Sequence, residues 1–531
     1  MIRFVRVLAS VVGLLIGIAA GSTVMAQKVG GILKIYTPDS PASMSILEEA
    51  TTYAVGPMMG VFNNLVVFNQ SVKQNSLQSI VPDLATEWFW NEDRTRLTFR
   101  LRQGVKWHDG QPFTAKDVVC TYDLLMEKGP EKLRVNPRLS VFKNLDHLST
   151  NGDFEVTFHL KRPQPAFLMQ ISGGPGAVYP CHISPEKMRR QPIGTGPFKF
   201  VDYKANQYIK VVRNPNYWKP GRPYLDGIEY TILKNVATAT MGFTSGAVDM
   251  MFPYWITIPI MKDIKRQMPS AVCEVTPGPV NRHLLVNRTV PPFDNRDVRL
   301  AMALALDRRA FIDILAEGQG DIGAVLQPPP GGLWGMPPDM LKDLPGYGSD
   351  VKANRQQGRA LMEKHGYGPG KRLKVKLTTR DLSFYRDPSV ILLDQLKEVY
   401  IDAELEPVET GAYFPKIMRK DYTVSLNLQT SGPDPDPIFD IFYGCGSNLN
   451  WDGYCNPEVD KMIEQQSRET DEQRRRLQVW ALERKLAEDV GRPIIFYASG
   501  ASCWQPTVKG FTPMINSVFN SYRFEDIWLD R

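Results

Sequence analysis

In PPFDNRDVRLAMALALDRRAF, residues Pro291–Phe311, two helix starts stand within one short run. Asp294 can accept the free amides of a helix whose apolar positions Val298, Met302 and Ala305 fall at helical spacing. Asp307 can cap a second helix that carries Phe311, Ile312 and Leu315 and stops at Gly318. Upstream of this run the chain is rich in strands: Gly31–Tyr36, Leu97–Leu101 and Phe154–Leu160 all alternate with period two. A helix starts there at Thr114, which can cap the amide of Asp117, with Phe113 and Val118 as a hydrophobic staple. Downstream, helices alternate with short strands. A Pro/Gly-rich loop (Gln327–Pro338) and a helix ending near Gly366 lead to a strand at Leu373–Thr379 and a helix at Pro388–Tyr400. Strands follow at Ala403–Val408 and Tyr422–Leu428. Asn456-Pro457 opens another helix, Thr470 with Gln473 forms a capping box for a long one, and Ile494–Tyr497 returns as a strand. That alternation predicts an α/β lobe with a largely parallel sheet, beginning near residue 290.

The whole chain has 531 residues, 43% hydrophobic and 23% charged, a globular composition that argues against disorder or a multi-span membrane protein. Its length predicts about two to four domains. A net charge of +6 is small for this size, and the Arg474–Arg476 triplet reads as a solvated helix face, so nucleic-acid binding is not expected. Residues 1–26 read as a cleaved secretory signal: Arg3 and Arg6, an apolar run from Val7 to Ala20, and small residues before a cut at Gln27. The mature chain would have about 505 residues and a net charge near +4. Export makes the six cysteines candidates for disulfides. Cys445 and Cys455 bracket a Gly/Asn-rich loop and form the best pair. Cys120, Cys181, Cys273 and Cys503 allow three pairings among themselves, or none.

A search for chemistry finds no catalytic constellation. The six histidines never fall at zinc-ligand spacing, and CxxC, GxSxG and phosphate-cradling glycine motifs are missing. No cofactor is implied. Trp107-His108-Asp109-Gly110 reads as a turn between strand and helix. In SGPDPDPIFD the prolines at 435 and 437 oppose a calcium loop formed by Asp434, Asp436 and Asp440. The same loop follows a strand, at the carboxyl edge where open α/β sheets place ligands. Tyr53, Trp88–Trp90 and Trp451–Tyr454 are aromatic candidates for core or ligand platform.

Several longer runs carry a resemblance. TFRLRQGVKWHDGQPFTAKDV (Thr98–Val118), PIGTGPFKF (Pro192–Phe200), RNPNYWKPGRPYLDGIEYTI (Arg213–Ile232) and the opening Pro291–Phe311 run resemble the family 5 extracellular solute-binding proteins, the peptide- and nickel-type binding components of ABC importers. PDLATEW near Pro82, SGAVD near Ser245 and NPEVDKMI near Asn456 extend the likeness over nearly the whole mature chain. The resemblance implies a two-lobed periplasmic binding protein, type II and cluster C-like. Lobe I would cover 27–283 with an inserted subdomain at about 60–195, lobe II 284–501, and 502–531 would return to lobe I. It implies a monomeric periplasmic receptor that closes on a small solute and delivers it to an ABC permease in the inner membrane. A peptide is the first ligand to expect, with an opine, sugar or cationic amine as alternatives. A sensory or chaperone-like binder of the same fold comes next, and a secreted carboxylate hydrolase last. Peptide-binding members share Trp-x-x-Asp-x-x-(Asp/Glu)-Pro, whose first Asp pairs with the ligand ammonium. With Asp436-Pro437 as the closing pair, that position is Pro433 and the Trp position is Thr430, leaving Asp434 one residue later as the substitute. The ligand residues expected on this basis are Thr430, Asp434, Asp436, Trp451 and Tyr36.

Overall fold

The computed structural model describes residues 27–253, 256–518 and 522–531; the expected signal, residues 1–26, lies outside them. Two main hydrophobic cores divide the described chain. One joins side chains from Leu33 to Ala271 with others from Ala501 to Leu529. The second is built only from residues between Leu284 and Phe496. A chain that leaves its first core, builds another and returns is two lobes joined by two crossing strands.

Lobe I contains a four-stranded sheet in which Ile32–Thr37 runs parallel to Gly227–Ile232, followed by Tyr208–Arg213 and Phe198–Lys204. A second, antiparallel sheet orders Ala85–Trp90, Arg96–Leu101, Glu155–Leu160 and Leu145–Thr150. Its alternating burial (Leu97, Phe99 and Leu101 inward) is the pattern of a sheet with one wet face. The helix Ala115–Leu125 packs on that sheet. The Asp117 carboxylate accepts the Thr114 N–H at 2.9 Å, and a Cys120–Cys181 disulfide ties the helix to the next segment.

Lobe II carries six strands in the order Gly320–Asp321, Ile494–Ala498, Val280–Val286, Val424–Thr430, Leu373–Arg380, Ile401–Val408. This sheet is mixed. Leu373–Arg380 pairs in parallel with both neighbours, and every other pairing is antiparallel. The expected parallel arrangement holds where the helices Ser383–Lys397 and Thr410–Met418 carry the chain back over the sheet between Leu373–Arg380, Ile401–Val408 and Val424–Thr430. Val280–Val286, which enters from lobe I, runs opposite to Val424–Thr430 and to Ile494–Ala498, so the returning strand points the same way as the parallel set.

The crossing is tight. Val272–Thr276 pairs with Gly500–Trp504, and Cys273 is bonded to Cys503 directly opposite. Val280–His283, expected in lobe I, instead lie in the lobe II sheet opposite Thr430–Asn427. A Cβ on Gly278 would sit 2.1 Å from the Ala498 carbonyl oxygen, so only glycine permits this approach between the two crossing segments. Helix starts shift by one residue from expectation in two places. Pro292 accepts the Asn295 N–H in a turn, so Asn295 and not Asp294 caps the helix Arg296–Ala305, accepting the Asp297 N–H at 2.8 Å. Asp471 displaces Thr470 as cap of Glu472–Glu488, because a carboxylate suits the positive helix end better than a hydroxyl. Asp307 caps as expected, accepting the Ala310 N–H.

Candidate functional site

The strand Val424–Thr430 ends at the interlobe face, and the Ser431–Pro435 turn leads directly into the helix Asp436–Tyr443. This turn and the helix after it wall one side of a cavity of about 170 Å³ whose opposite side is formed by lobe I residues, among them Phe68, Arg138, Val141 and Met169. Ile438, Ile441 and Leu449 make it predominantly apolar. A second cavity, of about 100 Å³, shares Ala50, Thr430, Phe442 and Leu449 with the first. It is ringed by Thr51, His283, Arg380, Gln429, Trp451 and Arg492. Both cavities are walled by the two lobes together, so both exist only while the lobes are closed.

The acids of the loop are all engaged. Asp434 takes both terminal nitrogens of Arg475 at 2.7 Å in a buried, two-pronged ion pair. Asp434 Oδ1 also accepts the Asp436 N–H at 2.9 Å, so both oxygens are engaged. Arg475 comes from the middle of the triplet read as a solvated face; its neighbours Arg474 and Arg476 do face solvent, while Arg475 is buried. Asp436 is fully buried and accepts from Gln466 at 2.8 Å, Ser467 at 3.0 Å, and, across the lobes, Gln164 at 2.6 Å and Gln170 at 3.2 Å. It therefore braces the closed form and does not face the cavities. Asp440 pairs with Lys143 of lobe I; burial, and then Asp436, push its carboxyl up to about 7.

Thr430 borders both cavities and Trp451 borders the smaller one, where its ring leans on Phe414 at 5.9 Å. Tyr36 lies apart: it is buried in the lobe I core and lines neither cavity. Cys445 and Cys455 are bonded to each other, closing the loop that carries Trp451. Trp107-His108-Asp109-Gly110 forms a turn, with Gly110 at φ 92° and its N–H donated to the Trp107 carbonyl. Among the described residues no group of three or more His, Cys, Asp or Glu is arranged to hold a metal.

Sequence reading alone did not single out Arg138, His283, Arg380 or Gln429. Arg380, at the end of Leu373–Arg380, donates to Asp39 of lobe I at 2.7 Å and to the Tyr385 hydroxyl at 2.9 Å. His283 Nδ1–H donates to Asn281 Oδ1 at 2.9 Å, since the Asn281 amide nitrogen is already donating to Val325 and Tyr497. Burial, reinforced by Arg492, holds the imidazole neutral, well below the usual histidine range. Its Nε2 is left as a bare acceptor at the smaller cavity. The signal for His283, Arg380 and Gln429 is only their place at the carboxyl edge of the sheet or on the crossing strand, and for Arg138 its place in lobe I before the short helical turn Leu139–Phe142, all of which requires the topology.

Comparison with known proteins agrees with this architecture. The model for bacterial extracellular solute-binding proteins, family 5, matches residues 79–450. The oligopeptide-binding protein AppA of Bacillus subtilis is 26% identical over 81% of this chain and 80% of its own length. The dipeptide-binding protein of Escherichia coli is 23% identical over 91% and 92%. The structure of the periplasmic binding protein DppA from Helicobacter pylori, in complex with the peptide STSA, superposes with a TM-score of 0.84 at 20% identity, covering 95% of this chain and 99% of that one. The motifs, the two cores joined by paired crossing strands and the family match together establish that this chain belongs to the bacterial extracellular solute-binding proteins of family 5.

Proposed function

We propose that this protein is the receptor of an ABC importer, capturing a peptide between its lobes and presenting the closed form to a membrane permease. The observation that carries the reading is the set of cavities walled by both lobes, two of which adjoin at Thr430, closed by hydrogen bonds that join one lobe to the other. Arg380 to Asp39, Gln164 to Asp436 and Lys234 to Glu409 at 2.8 Å can form only in the closed state. Ligand that fills the cavities adds contacts to that state alone and so shifts the equilibrium toward it. Relatives whose names record oligopeptide and dipeptide binding support a peptide as the ligand. Export through a cleaved leader at residues 1–26 fits this role and the disulfides, and the protein acts as a monomeric carrier without catalysis.

Thermal-shift screening of defined peptides against amino acids, sugars and opines tests the reading. A tight peptide present at 100 times its dissociation constant should stabilise the protein by about 2.7 kcal/mol. Stabilisation by a non-peptide solute with none by any peptide overturns the ligand class. Turnover of the bound ligand overturns the receptor role.

A further inference from the structure

The two adjoining interlobe cavities at the Ser431–Pro437 loop differ in chemistry, and the difference selects the end of a ligand held there. Their walls supply one carboxylate between them, Asp434, and Arg475 occupies both of its oxygens. They supply three guanidinium groups, Arg138, Arg380 and Arg492. Arg380 is matched by Asp39 and Arg492 by Asp452. Arg138 donates to the carbonyls of Leu47 and Glu49 and forms no ion pair among the described residues. Residues 254, 255 and 519–521 contain no acidic side chain. A ligand ammonium at the Ser431–Pro437 loop would meet no wall carboxylate that lacks a cation of its own, which is an unfavourable way to desolvate a cation. Asp387, exposed and without an ion-pair partner among the described residues, lines a separate cavity of about 330 Å³ on the hinge side.

What the smaller cavity does offer is neutral hydrogen bonding. Trp451 Nε1, Gln429 Nε2 and Oε1, His283 Nε2 and Thr51 Oγ1 are buried atoms with no partner among the described residues, and all five belong to residues of its walls. Gln429 is 2% exposed and His283 1%. Buried polar atoms are normally satisfied, so several orphans converging on one small space mark a place where a ligand's donors and acceptors complete the bonds. An uncharged amide, with one acceptor and one donor, matches a set containing Trp451 N–H, Gln429 and the bare His283 acceptor. The adjoining larger cavity has an apolar lining suited to a hydrophobic side chain.

We propose that the composite site takes an apolar peptide whose amino end is blocked as an amide, with that amide in the Thr51–His283–Gln429–Trp451 cavity and an apolar side chain in its neighbour. The proposal rests on the peptide-receptor reading above and narrows it to ligands without a free ammonium group. Titration calorimetry of the full-length mature protein with acetyl-Leu-Leu and with Leu-Leu, both retaining the free carboxylate, tests it. Acetyl-Leu-Leu should bind at least tenfold more tightly, and Gln429→Leu should narrow the gap severalfold. That variant replaces a buried unsatisfied amide by an apolar group, so folding is preserved. Binding of Leu-Leu as tightly as its acetylated form overturns the proposal and leaves the peptide receptor standing. A large preference for the acetylated form that Gln429→Leu does not change overturns the placement of the amide. No binding of either peptide at millimolar concentration, together with no peptide in the thermal screen, overturns the underlying reading and this inference with it.

Discussion

Asp434 is bound through both oxygens to Arg475, with both side chains nearly inaccessible, so removing it acts on folding before it acts on a ligand. Asp434→Ala should cost about 3–5 kcal/mol, the usual consequence of stranding a buried charge. Urea unfolding measures this; a loss below 1 kcal/mol would show that the pair contributes little. The adjacent lobe II buried acid, Glu483, has a different signature. It has no cation partner among the described residues and holds two ends of the Pro/Gly-rich loop by accepting the N–H groups of Leu326 and Met336, each at 2.8 Å. Burial raises its carboxyl to about 8 despite those bonds. Between the ordinary glutamate value and about 8 the folded state therefore keeps a proton that the unfolded chain has released. Stability must fall as pH rises through that window, by up to roughly 1.4 kcal/mol per pH unit, and level off above it. Urea midpoints of wild type and Glu483→Gln compared from pH 5 to 9 isolate this contribution. The wild-type advantage should shrink with rising pH, and a constant difference would refute it. Neither partnership could be read from sequence: Arg475 lies 41 residues beyond Asp434, inside a triplet whose other members are solvated.

At the scale of elements, what the sequence made legible was local. Asp307, Asn456 and Thr114 mark helix starts because a cap and its amide are two or three residues apart. Phe99 and Phe158 mark strands because inward residues alternate. Strand direction was not legible, since Val280–Val286 is antiparallel only because it arrives from the other lobe. The cavity walls depend on the same topology, which is why Thr430 and Trp451 were found while Gln429, next to Thr430, was not. The Cys445–Cys455 loop lies between these cases. Its ends are close in sequence, but its role comes from docking on lobe I, where the Asn448 side chain donates to the Asn136 carbonyl at 3.1 Å. Replacing both cysteines by serine should destabilise by about 2.5–3 kcal/mol through the freed loop entropy. It should also weaken ligand binding, because the same loop holds Trp451 at the cavity. Unfolding and calorimetry on the double variant give both values, and an unchanged affinity would show that the loop keeps its shape unaided.

For the whole molecule the decisive quantity is the free-energy difference between open and closed lobes, and a buried interlobe pair sets much of it. Asp39 follows the first strand of lobe I; its carboxylate accepts from Arg380 at 2.7 Å and from the Thr410 hydroxyl, both in lobe II. Arg380 and Asp39 are almost inaccessible when the lobes meet. On opening, water replaces these bonds, so the pair weighs only on closure. Asp39→Asn keeps the size of the side chain and removes its charge, leaving Arg380 desolvated and uncompensated in the closed form alone. The open form should then gain population, and apparent affinity should fall by the loss of the closed fraction. Ligand must still enter the open cleft, so association should change little and dissociation should quicken, giving a dissociation constant at least tenfold weaker. Stopped-flow fluorescence separates the two rates. Small-angle scattering of the ligand-free variant should show a larger radius of gyration than wild type, returning to the wild-type value at saturating peptide. Unchanged scattering together with an unchanged dissociation rate would mean that the remaining interlobe bonds, from Gln164 and Gln170 to Asp436, set closure without Asp39.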